Sequence, residues 1–255
     1  MTSKRNEIVL FLVEGKSDRL ALEYPMSAFY DEIDDGYQVF FLTIPSGGDI
    51  TAMLNVTEEN VEEEIYEKFI RDFLEIYGFR LGDISRIVQI TDMDGAYIPE
   101  ENVSEYDEDE IRNRLTYNKS GIEAVNVYSI LRRNEHKARV LDYLSGLDAL
   151  SMQGEKIPYR IFYFSSNIDD YIHSNANLSS NSKVRKAREF NNKCMSNMNY
   201  FVKMFTRDPA ACLGMSYSES WGFIKEGTRS LRRHTNLNIL IESLMEMSMI
   251  DDFII

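Results

Sequence analysis

Residues 86–98 read R-I-V-Q-I-T-D-M-D-G-A-Y-I, and no other stretch narrows the choice of fold as far. Ile87, Val88 and Ile90 make a short β-branched run of the kind that forms a buried strand. The run stops at Thr91, and two carboxylates, Asp92 and Asp94, follow with one residue between them. In an extended segment side chains two apart point the same way. The pair is therefore expected to share a face at the strand's carboxyl end, with Gly95 turning the chain away. Open α/β sheets place their ligands at that end of their strands. Two close carboxylates repel and at neutral pH favour a cation, and all-oxygen ligands suit Mg²⁺ or Mn²⁺. An acidic turn that merely closes a strand explains the same residues, so the rest of the chain has to decide.

Other segments repeat the buried-strand signature. Residues 8–13, I-V-L-F-L-V, are continuously apolar and end in Glu14-Gly15, followed by Lys16-Ser17-Asp18. Helical spacing then runs through Leu20, Tyr24 and Ala28, with Pro25 as a point of bend or restart. Residues 38–43 read as a second buried strand, with the loop P-S-G-G-D after it at 45–49. Val61, Ile65, Phe69, Ile70, Phe73, Leu74 and Tyr77 mark an amphipathic helix ended by Gly78. Residues 160–164, R-I-F-Y-F, form another buried strand. The dense acidic stretch at 99–114 reads as an exposed insertion or loop, and residues 121–128 are ambiguous. Helices are expected over 137–150, 183–205, 218–227 and 236–250. This alternation indicates an α/β protein with a parallel sheet of four or five strands, helices on both faces and a helical C-terminal extension.

Composition excludes several classes. No apolar run approaches the roughly 20 residues of a membrane-spanning helix. The N-terminus leads straight into a strand, without a signal-peptide pattern. Cys194 and Cys212 are the only cysteines, which reads as two structural thiols in a reducing, cytoplasmic setting. Net charge is −14, unevenly spread: residues 1–155 carry 15 Lys+Arg against 32 Asp+Glu, and residues 156–234 carry 13 against 6. A chain this acidic is no general nucleic-acid coat, although its basic later part suits a phosphate-rich substrate. No Ser/His/Asp or Cys/His triad, nucleotide-binding P-loop or zinc constellation is present.

V-E-G-K-S-D at 13–18 and T-D-M-D-G at 91–95, each closing a predicted buried strand, together resemble the toprim domain. That domain is the metal-binding catalytic module of topoisomerases, bacterial primases and a group of nucleases. Its pattern is a Glu-Gly closing the first strand and an Asp-x-Asp closing the third; Glu14-Gly15 and Asp92-x-Asp94 stand in that order. Glu14 to Asp18 is also Glu-x-x-x-Asp, similar to the overcoming-lysogenization-defect nucleases and small stand-alone toprim proteins of phage-defence systems. In those proteins this pair helps hold a second metal. In S-N-I-D-D-Y-I-H at 166–173, Asn167, Asp169 and His173 match the Asn, Phe-Glu and His that follow the next strand in stand-alone toprim proteins. Ile-Asp replaces Phe-Glu, a departure from that pattern.

The resemblance covers roughly residues 7–175. It implies a toprim-like catalytic domain over 1–175, with an acidic insertion at about 97–120, and a helical, locally basic extension over 176–255. The implied activity is Mg²⁺- or Mn²⁺-dependent cleavage of phosphodiester bonds in DNA or RNA, by a phage-defence effector controlled by a partner ATPase, with a homodimer left open. Glu14, Asp92 and Asp94 would be catalytic. Glu14 and Asp18 would hold one ion and Asp92 and Asp94 another, roughly 4 Å away, as two-metal phosphodiester chemistry asks. Lys16, Asp169 and His173 would be accessory, Lys16 standing where backbone N–H groups favour phosphate. Arg229, Arg232 and Arg233 offer guanidinium forks to nucleic-acid phosphates; pairing with the acidic insertion accounts for them equally well.

Two other readings stand beside this one. D-M-D-G also resembles the D-x-D-G of haloacid-dehalogenase-type phosphatases, with Asp92 as nucleophile; such sites sit on the first core strand and need a downstream Lys. A toprim-fold regulatory subunit that binds without cutting would use the acidic insertion to dock on an ATPase.

Overall fold

In the computed structural model, which describes residues 7–33, 36–106 and 115–248, the run at 8–13 becomes β1 (Glu7–Val13), buried from Ile8 onward. A strand apolar on both faces needs cover on both. Helix α1 (Lys16–Ile33) leads to β2 (Tyr37–Leu42). The next helical run is α2 (Val61–Ile65), a π-helical turn (Tyr66–Ile70) and α3 (Arg71–Tyr77), closed by Gly78 at φ +71°. Then comes β3 (Ile84–Asp92). Three short strands follow, β4 (Val103–Glu105), β5 (Leu115–Tyr117) and β6 (Ile122–Ala124). Helix α4 (Val127–Ser145) precedes β7 (Ala149–Met152) and β8 (Glu155–Phe164). The remaining elements are helices: α5 (Ile168–His173), α6 (Ser180–Ser196), α7 (Met198–Thr206), α8 (Tyr217–Ile224) and α9 (Leu237–Ser248).

The main sheet has the order β2-β1-β3-β8-β7. Its first four strands are the four expected from the sequence, and all are parallel; β7 is antiparallel to β8. Alternation along β1 divides the core. Ile8, Leu10 and Leu12 join the side chains of α2, α3, α4 and α8 on one face. Val9, Phe11 and Val13 join those of α1, α6, α7 and α9 on the other. A third, small cluster of Ile98, Val103, Ile122 and Leu231 lies under the sheet β4-β6-β5.

The carboxyl end of β8 is clamped by residues far along the chain. Ser165 N–H donates to His234 O (2.9 Å), Thr235 Oγ1 donates to Tyr163 O (2.6 Å), and Tyr163 N–H donates to Asn236 Oδ1 (2.8 Å). Residues 234–236 thus satisfy backbone groups that would otherwise be buried without partners.

Four local expectations change. Pro25 lies inside a single helix, α1, which does not restart there. The acidic stretch read as an exposed loop supplies β4, because Val103 has Ile122 to pair with and a small core to enter; residues 107–114 lie outside the described residues. The helix expected over 137–150 begins at Val127, capped by the Asn126 side chain accepting from Ser129 N–H, and 149–152 is strand instead. The helix expected over 183–205 breaks at Asn197, whose backbone is extended. Among the described residues no helix is long and apolar enough to cross a membrane. Cys194 and Cys212 are both free and buried; burial pushes the Cys194 thiol up to about 12, which keeps it an unreactive thiol.

Candidate functional site

The carboxyl ends of the four parallel strands, with the helix starts and loops that follow them, bring six carboxylates together. Glu14 follows β1, and its Oε1 accepts from Thr91 Oγ1 (2.7 Å) and Asp92 N–H (2.8 Å), tying the first strand to the third. Asp92 ends β3, and its Oδ1 accepts from Ile168 N–H (3.0 Å) at the start of α5. Asp94 adopts the left-handed region at φ +51°, so the chain turns at Asp94 itself and continues left-handed through Gly95 at φ +74°. This corrects the expectation of a shared face. Asp92 is bonded to the start of α5, whereas Asp94 reaches α4. The turn is held by Asp94 N–H donating to Ser166 O (2.9 Å) and Gly95 N–H donating to Ser230 O (3.2 Å). A Cβ at Gly95 would meet Leu231 Cδ2 at 2.8 Å and Ile122 Cδ1 at 2.9 Å.

Asp18, in the first turn of α1, accepts from Gly15 N–H (2.9 Å). Asp49, in the loop after β2, caps a short 3₁₀ turn (Ile50–Ala52) by accepting from Thr51 N–H at 2.8 Å. Asp169 lies buried in α5.

Two lysines divide these acids. Lys137 of α4 lies 2.7 Å from Asp49 Oδ2, 3.1 Å from Asp94 Oδ2 and 3.9 Å from Glu14 Oε1, with a wholly buried side chain. Ligand oxygens of those three acids all lie within 4.8 Å of one another. Lys183 of α6 is 3.1 Å from Asp169 Oδ2 and is one-third exposed (33 %); Asp92 and Asp18 add to its field. Arg133 supports the Lys137 side, donating to Asp94 O (2.8 Å) and Tyr117 Oη (3.0 Å).

Proton affinities follow this division. Burial, then the charge of Asp49, lifts Glu14 well above the usual carboxylate range, against the pull of Lys137. Burial, then Glu14 and Asp18, does the same to Asp92. Asp18 is pushed up to about 6 by burial. Burial acts upward on Asp94 too, but Lys137 and Arg133 outweigh it and hold that carboxyl below its usual value. Lys137 is the mirror image: burial acts downward, and Asp49, Asp94 and Glu14 together keep it firmly protonated.

Two clefts flank the carboxylates. One of about 550 Å³ is lined by Glu14, Lys16, Arg19, Thr43 and Gly47 among others. The other, about 420 Å³, is lined by Asp94, Tyr117, Asn167, Asn177 and Lys183 among others. Lys16 is exposed at the first residue of α1. Asn167 caps α5, accepting from Asp170 N–H at 3.0 Å. His173 ends α5, where burial lowers its proton affinity against the pull of Asp169. Arg233 is committed elsewhere: it grips both oxygens of Asp208 (3.0 and 2.6 Å) and donates to Tyr171 O (2.8 Å). Arg229 pairs with Glu226 at 2.8 Å and lies over the Phe223 ring. Arg232 is exposed and donates to Thr228 Oγ1 at 3.2 Å. Among the described residues Arg229 thus pairs with Glu226 and Arg233 with Asp208, rather than with the acidic insertion.

Asp49, Lys137, Lys183 and Arg133 belong to the site and were not singled out for it from the sequence. Known protein families, curated proteins and solved structures, searched with this chain, yield no match. What the fold and site define is therefore a class: an α/β protein with a carboxylate-rich centre at the carboxyl edge of its parallel strands.

Proposed function

We propose that the protein is a Mg²⁺- or Mn²⁺-dependent phosphodiesterase acting on DNA or RNA, as the toprim resemblance implies. One observation supports this above all: the site is short of positive charge. Glu14, Asp18, Asp49, Asp92, Asp94 and Asp169 face Lys137, Lys183 and Arg133, six acids against three cations, and burial, ahead of any charge, raises the proton affinities of Glu14, Asp18 and Asp92. The donor set is all oxygen, which fits a hard divalent ion. Such an ion, when bound, stabilises charge building up on a phosphodiester and acidifies a bound water.

The chain's own groups do the rest. Glu14 is fixed by its two bonds to β3, and its raised proton affinity suits it to accept a proton from an attacking water. Lys16 in one cleft and Lys183 in the other flank the carboxylates with positive charge where a polyanion would have to approach.

The test is incubation of the purified protein with plasmid DNA and with tRNA, each with Mg²⁺, Mn²⁺ or chelator, with and without a candidate ATPase partner. Metal-dependent cleavage that disappears in Asp92→Ala is the expected result. Full cleavage by Asp92→Ala would sink the reading. A wild type that binds Mn²⁺ but cuts nothing would favour the non-catalytic regulatory subunit. The phosphatase reading gains one observation, the lysine in contact with the D-x-D motif, but Lys137 reaches Asp94 rather than Asp92, the nucleophile that reading requires. Metal-dependent turnover of p-nitrophenyl phosphate without nucleic-acid cleavage would support it.

A further inference from the structure

The cleft of about 420 Å³ beside Asp94 takes its walls from two distant parts of the chain. One is β5, in the stretch expected as an acidic insertion. Its Leu115 and Tyr117, two apart and so on one face, line the cleft and are partly exposed. The other is the loop between α5 and α6, which contributes Leu178. Asn177 pins that loop to β5: its Oδ1 accepts from Tyr117 N–H (2.9 Å) and its Nδ2 donates to Tyr117 O (2.7 Å). Lys183, one-third exposed, adds an ammonium to the lining, and Asp94 joins the cleft to the carboxylates. An aromatic ring beside a cation is the kind of surface on which an unpaired base stacks while its phosphate meets positive charge. The volume lies within the roughly 300–1,000 Å³ of pockets that hold one small molecule, room for a nucleotide and not for a duplex. The two amides in the lining are committed at both ends. Asn177 spends its oxygen and nitrogen on Tyr117, and Asn167 accepts from Asp170 N–H (3.0 Å) and donates to Ala176 O (2.9 Å). That favours contact with the face of a base over hydrogen-bonded reading of its edge.

We propose that this cleft is the subsite for one unpaired nucleotide, its base on Tyr117 and its phosphate on Lys183, so that the protein acts on single-stranded DNA or RNA without regard to base. The inference rests on the phosphodiesterase reading above and narrows it to a substrate class. Bringing a base of a duplex to Tyr117 would first require unpairing and unstacking it, which costs free energy that a single strand does not spend. The inference also gives β5, the described strand at the end of the insertion, a place in the site.

The test is binding of short labelled oligonucleotides to the full chain, read by fluorescence anisotropy with Ca²⁺ in place of Mg²⁺. The probes are homopolymers of dT, dA and dC, an oligo-U strand and a blunt duplex of mixed sequence. Single strands should bind at least about tenfold more tightly than the duplex, and the homopolymers should differ among themselves by less than about tenfold. Tyr117→Ala should weaken single-strand binding about tenfold, and Tyr117→Phe, which keeps the ring, should restore it. Lys183→Met should flatten the slope of log K against log salt by about 0.7, the share of one phosphate on a single strand. Equal affinity for strand and duplex would overturn the inference, as would a folded Tyr117→Ala with full single-strand affinity. In either case a plasmid still cut with Mg²⁺ leaves the proposed activity standing; no binding to any probe and no cleavage would overturn both. A preference for one base above about tenfold would overturn it by showing that base edges are read. Should Tyr117→Ala not fold, Leu178→Ala removes apolar surface from the opposite wall and should weaken single-strand binding in its place; the comparison of strand with duplex decides the matter independently.

Discussion

Lys137 projects from the middle of a long helix, without exposed surface, with carboxylate oxygens at 2.7, 3.1 and 3.9 Å. Lys183 projects from the start of another helix, one-third exposed, with one carboxylate oxygen at 3.1 Å. Both neutralise acids at the same sheet edge, and the acids respond differently. Beside Lys137 and Arg133, Asp94 is held below the usual carboxylate range; Asp92, in the field of Lys183, is raised well above it by burial and by Glu14. The lesson is that charge balance is local. The fixed ammonium, with Arg133, brings down Asp94 at 3.1 Å, whereas Glu14 at 3.9 Å from it and Asp92 in the field of Lys183 both stay raised by burial.

The largest effect that should separate the two is on stability without metal. Lys137→Met leaves three partly exposed carboxylates without their buried cation, and urea unfolding should show a loss of about 3 kcal/mol, the lower end for a buried pair. A loss below about 1 kcal/mol would remove the distinction. Next is the turn that sends Asp94 away from Asp92. Gly95→Ala imposes a Cβ on a backbone at φ +74° and against Leu231 and Ile122. It should cost about 2–3 kcal/mol, with Ile122→Ala restoring part of that if crowding contributes.

Acidification gives a smaller effect with a defined sign. Asp18 binds its proton more tightly folded than unfolded, so stability rises as pH falls from 7.5 to 5.5 and the folded chain takes up protons the unfolded chain does not. With its value pushed to about 6, Asp18 alone contributes about 1 kcal/mol across that window, or about 2–4 °C in Tm. Asp94, held low, acts oppositely but only below the ordinary carboxylate value of roughly 4. His173 and His234, lowered by burial, act oppositely inside the window. The readout is therefore the difference in Tm slope between wild type and Asp18→Asn, measured by calorimetry. An identical slope in both would show that Asp18 is an ordinary surface acid. The last contrast is Lys183→Met, which leaves the buried Asp169 without its ion pair; it should cost less than Lys137→Met, which strips three acids, and an equal loss in urea unfolding would remove the distinction.

Much of this was legible in the sequence. Continuous apolar runs specify strands buried on both faces, and the four so marked are the four parallel neighbours of the sheet. Glu14, Asp18, Asp92 and Asp94 were visible because strand ends reveal themselves by where hydrophobicity stops. Asp49 was not, since a lone acid after two glycines looks like any polar loop; only the pairing of β2 with β1 brings it beside Glu14. Lys137 left a signal that was passed over. It lies on the same helical stripe as Val140, Leu141 and Leu144, and a lysine in an apolar stripe must find carboxylates inside the fold. The separation of Asp92 from Asp94 could not be seen, because the left-handed turn at Asp94 depends on bonds to Ser166 and Ser230, far along the chain.

The clamp on β8 has a consequence for how the protein is made. Tyr163 N–H finds its acceptor in Asn236, 73 residues later. At about 5–20 residues per second, a ribosome delivers that partner on the order of ten seconds after β8 itself. Throughout that interval the strand's carboxyl edge has neither its clamp nor helix α9 beneath it. The clamp at the acidic edge is thus unavailable until residue 236 is made, and translation products ending short of residue 230 would carry every carboxylate of the site without the residues that clamp β8.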